Sequence, residues 1–146
     1  MKLTYPLYIC GLQVRSYELV KNVFWEGFVN DVRDVYTSNS ILLSPCFLAG
    51  GVKTKMCEAL SYGVIPLGNR ISFEGIDAEN NGLAMSEEGL ISTIRSIEQN
   101  LSGLTINARQ LQAYLIERHG VESYEAKWRG LLAPSHPIAL GQGHAD

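Results

Sequence analysis

A chain of 146 residues has the length of one ordinary domain and can bury one sizeable core. Its 46% hydrophobic and 18% charged residues exclude a disordered chain, and its formal net charge of −3 excludes a global positive field that would draw it to nucleic acid or an anionic membrane. Any phosphate ligand must therefore be held by local groups.

Short apolar runs that end in Gly or Pro alternate with segments of helical period, the pattern of a parallel sheet with helical crossovers. The expected strands are Leu7 to Cys10, Asn22 to Trp25, Ser40 to Leu43, Val64 to Leu67 and a weak one at Leu83 to Met85. Gly11, Gly27, Pro45 and Gly68 stop the first four. Asn30 is placed to cap a helix carrying Val32, Val35 and Tyr36 on one face. Ser86 is placed to cap a longer one with Leu90, Ile91, Ile94, Ile97 and Leu101 as its apolar stripe, and Glu87 and Glu88 suit its positive end. Thr105 is expected to open a third helix that closes near His119 and Gly120, and Ser123 a last one through Trp128 to Leu132. Residues 133 to 146, rich in Pro, Gly and His, read as a loose tail.

Cys10, Cys46 and Cys57 are odd in number and lack C-x-x-C spacing, which points to reduced thiols rather than a disulfide framework. The segment MKLTYPLYICG has no signal-peptide cleavage region, and no apolar run approaches the ~20 residues of a membrane span, so a cytoplasmic chain is expected. His119, His136 and His144 form no helical pair or cluster for a metal, and no Asp-x-Asp pair suggests a metal-bound diphosphate.

The informative stretch is SILLSPCFLAGGVKTKMCEALSYGVIPLGN, residues 40 to 69. It reads strand, glycine loop, helix, strand. Ligands of open parallel sheets bind at the carboxyl ends of strands, where a helix start aims amides and partial positive charge at an anion. Gly50 and Gly51 allow a close backbone approach, Lys53 and Lys55 add two cations, and Glu58 follows about one and a half turns along the helix. A carboxylate there can accept two hydrogen bonds from a ribose diol. Spacing alone leaves two readings open, an anion site and a solvated helix face.

The run GGVKTKMCEALSYGVIPL resembles the signature of retaining B-type glycosyltransferases of the large bacterial group-one superfamily, in its G-x-G-x-K-x-K-x-x-E-A-x-x-x-G-x-P variant. LYICG, NVFWEGFV and DVRDVYTSNSILLSP resemble that family's second, third and fourth strands with their turns. FEGI, GLAM, INARQLQAYL and YEAKWRGLL resemble its later elements, so the likeness covers roughly residues 7 to 132. It implies an α/β, Rossmann-like doubly wound parallel sheet with helices on both faces, forming a nucleotide-sugar-binding domain over residues 1 to 132. The implied function is the donor-binding half of an enzyme that moves a sugar from a UDP- or GDP-sugar to a glycan or lipid-linked acceptor, without a metal or other cofactor. Polysaccharide synthesis, peripheral to the inner membrane, is the setting the family suggests.

Carried over residue by residue, Glu58 matches the glutamate that hydrogen-bonds the donor ribose. Gly50, Gly51 and Val52 match the loop beside the sugar diphosphate, Lys53 and Lys55 match the variant's two lysines, and Gly27 and Phe28 match the turn beside the base. Many relatives carry a second glutamate eight residues before the ribose glutamate; here that position is Gly50. The family's first strand and its acceptor-binding amino-terminal domain should precede LYICG, so the chain alone is expected to be inactive. In the family order, 3-2-1-4-5-6, that first strand is central. The strands at Leu7 and Ile41 are then expected to pair directly, to exchange between copies, or to leave an unstable monomer. Two other functions remain open, a non-catalytic nucleotide-sugar-binding module and an NDP-sugar epimerase of the same architecture. A receiver-type signalling module is disfavoured because LYICG carries no Asp.

Overall fold

The structure is a computed structural model in which residues 5–11, 17–48, 50–76 and 81–132 are described. It divides into two compact units, Met1–Ala113 and Tyr114–Asp146. The expected tail, residues 133 to 146, lies outside the described residues.

In the first unit, β1 (Leu7–Cys10), β2 (Tyr17–Val20) and β3 (Val23–Gly27) form one sheet in the order β1-β3-β2, with β1 parallel and β2 antiparallel to β3. β4 (Ile41–Ser44) and β5 (Ile65–Gly68) form a second, parallel sheet, extended by a parallel bridge from Gly68 to Ala84. Five helices complete the described chain: α1 (Val32–Ser38), α2 (Thr54–Ser61), α3 (Glu87–Arg95), α4 (Ile97–His119) and α5 (Val121–Leu132). A short 3-10 helix covers Arg70–Phe73. The architecture is α/β with short parallel strand pairs.

All five expected strands have counterparts, the weakest reduced to the Ala84 bridge. β2 has none, and its cause is local. Asn22, which reads as the start of a strand, instead turns the chain at φ 65° between β2 and β3, and its amide donates to Glu18 Oε1 at 3.0 Å. Asn tolerates this left-handed conformation better than other side-chain-bearing residues, so Lys21-Asn22 closes a hairpin. Of the three outcomes expected for the Leu7 and Ile41 strands, direct pairing is not made: β1 and β4 lie in separate sheets.

The helix starts also differ from expectation. Asp31, not Asn30, caps α1; its carboxylate accepts from the Arg33 amide at 2.9 Å and pairs with the Arg33 guanidinium at 2.6 Å, a charged contact that Asn cannot make. Ser86 does cap α3, accepting from Gly89 N at 3.1 Å, but the helix ends at Arg95. The chain turns at Ser96, whose carbonyl accepts from the Gln99 and Asn100 amides and so starts α4. The expected apolar stripe is therefore divided between two helices, and Ile91 and Leu101 are exposed while Leu90 is buried. Thr105 opens nothing, since its hydroxyl donates back to the Leu101 carbonyl at 2.8 Å within a continuous helix. Burial of Leu104, Ala108 and Leu111, at helical spacing, carries α4 through this region.

β5 is buried at every position, as a strand covered on both faces should be. α2 packs against it and buries Met56, Ala59 and Leu60, and Leu111 of α4 is buried as well. Gln112 of α4 donates to the Leu60 carbonyl at 2.6 Å and satisfies an acceptor at the end of α2.

The second unit holds the end of α4 and α5. Ser123 does not open α5, which begins at Val121; its hydroxyl and the Lys127 ammonium both donate to the Arg118 carbonyl at 3.0 Å. Among its residues, Tyr124 and Trp128 face each other with ring centroids 6.3 Å apart.

Gly68 shows how tightly β5 ends. A Cβ there would stand 2.6 Å from Ser72 Cβ and 2.8 Å from the Ser44 carbonyl oxygen, so Gly68→Ala should cost about 1–3 kcal/mol in urea unfolding. Gly103→Ala, within α4 and with nothing within 4 Å, should instead stabilise by about 0.5–1 kcal/mol. Equal stability of the two variants would contradict the close approach at Gly68.

Candidate functional site

The carboxyl ends of β4 and β5 are joined by side-chain hydrogen bonds. Asn69 Nδ2 donates to the Cys46 carbonyl at 2.6 Å, and Asn69 Oδ1 accepts from Cys46 N at 3.3 Å and Ser72 N at 3.2 Å. The buried Ser72 hydroxyl donates to the Ser44 carbonyl and lies 2.8 Å from Asn69 Oδ1. These contacts fix the point from which the chain leaves β4 toward the glycine loop.

Gly51 takes φ 70°, a conformation that side chains strain, and a Cβ at Gly50 or Gly51 would meet nothing within 4 Å. The loop thus presents open backbone. Val52 is exposed and touches Gly75, where a Cβ would come within 2.7 Å of Val52 Cγ2. Phe47 and Leu48, which precede the glycines, are also exposed.

α2 begins after Lys53 without a side-chain cap. Its first turn carries no acidic residue, so among the described residues no side-chain cap neutralises the positive end of its dipole. The two lysines divide their roles. Lys53 is held inward, its side chain only 9% exposed, with the ammonium 3.3 Å from Glu74 Oε2 and bonded to the Gly51 carbonyl. Lys55 is exposed and makes no ion pair among the described residues. Lys53 therefore braces the loop, and Lys55 is the cation presented to solvent.

Glu58 is exposed one turn further along α2. Its Oε2 accepts from the Tyr36 hydroxyl at 3.2 Å, and that hydroxyl is also 3.4 Å from the Lys55 carbonyl. Tyr36 is buried, stacks on Tyr62 with centroids 5.4 Å apart, and packs in a cluster with Ala59, Val64 and Leu42. Burial first, and then the Glu58 charge and hydrogen bond, push the Tyr36 hydroxyl up to about 12.

Gly27 and Phe28 stand at the end of β3. Gly27 is buried with φ 70°, and its carbonyl accepts from Gly11 N at 2.8 Å, while Phe28 is exposed. No hydrogen bond or ion pair among the described residues joins this turn to the Gly50–Glu58 segment. The structure therefore assembles Gly50, Gly51, Val52, Lys53, Lys55 and Glu58 on α2 and the loop before it, with Gly27 and Phe28 at the end of β3 in a separate sheet. Tyr36, Asn69, Ser72 and Glu74 are contributors that the sequence motif did not identify. The Asn directly after the strand was the one available signal, since Asn often bonds backbone in tight turns.

Among the described residues, no three His, Cys, Asp or Glu side chains converge into a group that could hold a metal ion, and no helix is long and apolar enough to cross a membrane. A shallow concavity on α3, lined by Glu88, Ile91, Ser92, Arg95 and Ser96, contains none of the residues above. No protein-family model matches the chain, and neither a curated protein nor a solved structure matches it significantly.

Cys46 reports the polar surroundings of this site. Burial alone would raise its thiol, but hydrogen bonding with Ser72 and Ser44 and the charges of Lys55 and Lys53 outweigh it and lower the thiol below its ordinary value. Burial and nearby Glu26 raise Cys10, and burial and Glu58 raise Cys57. Since the thiolate is the nucleophile, Cys46 should alkylate fastest with iodoacetamide at neutral pH, although Cys10 is the more exposed. Peptide mass spectrometry showing Cys10 first would contradict the lowered Cys46 thiol and the hydroxyl contacts of Ser72 and Ser44 that chiefly lower it.

Proposed function

We propose that the chain is the nucleotide-sugar donor-binding part of a B-type glycosyltransferase, and that the start of α2 holds the donor diphosphate. The observation that carries this reading is the β4–loop–α2–β5 unit. A parallel strand pair is joined there by an open glycine loop and a helix without a side-chain cap, with an exposed Lys55 in its first turn and Glu58 beyond it. Backbone amides, the helix dipole and an ammonium are the groups that bind a diphosphate without a divalent ion.

The strand pairing supports the finer reading of a Rossmann-like doubly wound sheet. β3 pairs β1, β4 pairs β5, and β5 bridges to Ala84, all in parallel. These are the neighbours that the order 3-2-1-4-5-6 requires of its second to sixth strands, and the break between the sheets falls where the first strand of that order stands. β2 departs from it, as an antiparallel strand added outside β3.

In the proposed complex the diphosphate lies over Gly50 and Gly51 against the amides that open α2, Lys55 neutralises part of its charge, and Glu58 accepts from the ribose hydroxyls. Lys53 acts indirectly, holding the loop through Glu74 and the Gly51 carbonyl.

Calorimetry with uridine and guanosine diphosphates tests the reading. Binding should persist in chelator, and Lys55→Ala should weaken it by roughly 1.5–3 kcal/mol, the range of a lost hydrogen bond to a charged group. Binding abolished by chelator, or unchanged in Lys55→Ala, would count against it.

A further inference from the structure

The Tyr36 hydroxyl is an added polar group on a ring that the core would accept as Phe. Tyr36 packs with Ala59, Val64 and Leu42 and stacks on Tyr62 at an interplanar angle of 16°, contacts that restrain the ring. A part-buried tyrosine hydroxyl needs a partner, and here the nearer of two acceptors on α2 is the Glu58 carboxylate at 3.2 Å, with the Lys55 carbonyl at 3.4 Å. Glu58 is otherwise an exposed helix side chain with many accessible rotamers, so this bond removes freedom that a ligand would have to remove on binding. Only Oε2 of Glu58 is engaged by a described side chain, and each carboxylate oxygen has two acceptor sites.

We propose that Tyr36 is a positioning residue for Glu58, holding its carboxylate in one orientation so that it selects nucleotides with an intact ribose diol over those that lack it. The inference rests on the donor-site reading of Glu58. It adds that a rigid phenol on α1, not the helix alone, sets the carboxylate's direction. Phe at position 36 keeps the ring and removes the hydroxyl, and with it the bond to Glu58 and the longer contact to the Lys55 carbonyl.

The experiment compares binding of uridine diphosphate and its 2′,3′-dideoxy counterpart to the wild-type chain, Tyr36→Phe and Glu58→Gln, with melting temperature measured for each. Tyr36→Phe should lose about three- to tenfold in affinity for the ribose form, the range expected from losing one orienting bond, while binding the dideoxy form as before. Its melting temperature should stay close to that of the wild type. Full discrimination retained in Tyr36→Phe but lost in Glu58→Gln would overturn the positioning role and leave the donor-site reading intact. Full discrimination retained in Glu58→Gln would remove both.

A second readout requires no nucleotide. The alkaline absorbance transition absent from Tyr36→Phe belongs to Tyr36, whose neutral form the fold favours up to about 12 through burial and the Glu58 charge. The stability this supplies is complete below the ordinary value near 10 and is lost as pH rises through about 12. Glu58→Gln removes the charge and should move that transition toward 10. A transition unmoved by Glu58→Gln would overturn the contact itself.

Discussion

The side chain of Asn69 holds the end of β4 to the end of β5, and the geometry of the glycine loop depends on that tie. Through Cys46 and Ser72 it satisfies backbone groups on both sides of the gap between the two strand ends. Gly68 makes the tie possible, because any larger residue there would push Ser72 away from the Ser44 carbonyl. A buried polar network of this kind rigidifies its surroundings only when its members are satisfied. Loss of Asn69 would leave half-buried donors and acceptors without their partner, a cost of about 1–3 kcal/mol per group.

From that fixed point the chain carries its polar groups outward in order. The open backbone of Gly50 and Gly51 comes first, then the brace between Lys53 and Glu74, then the unneutralised start of α2 with Lys55, and finally Glu58 held by Tyr36. The side chains that restrain the segment lie outside it: Asn69 and Glu74 cap the two ends of the 3-10 helix, and Tyr36 lies on α1. The arrangement meets a basic requirement for binding an anion from a loop, namely that the backbone is ordered before the ligand arrives.

The strand-loop-helix-strand order of residues 40 to 69 was legible because apolar runs and glycines mark it directly, and the structure places β4, α2 and β5 within that stretch. The two lysines and Glu58 were legible as residues, but their division of roles was not. Nothing in the spacing distinguishes Lys53 from Lys55; the distinction comes from Glu74, twenty-one residues away from Lys53 in sequence. Tyr36 read as one apolar position on a helical face, since its hydroxyl's partner lies on another helix. β2 is not legible in the sequence because its signal is a two-residue turn at Asn22 rather than a run of apolar residues. The helix starts at Asp31, Ser96 and Val121 were displaced from the neighbouring polar residues by specific side-chain or carbonyl contacts.

The central claim is that a nucleoside diphosphate binds at the start of α2. Amide-resolved NMR titration of the chain with uridine diphosphate tests it most directly. The largest shifts are predicted at the amides of Gly50 to Met56, with smaller ones at Glu58 and Tyr36 and little change on α3. Shifts centred on Glu88, Ile91, Ser92 and Arg95, with Gly50 to Met56 unmoved, would contradict the account.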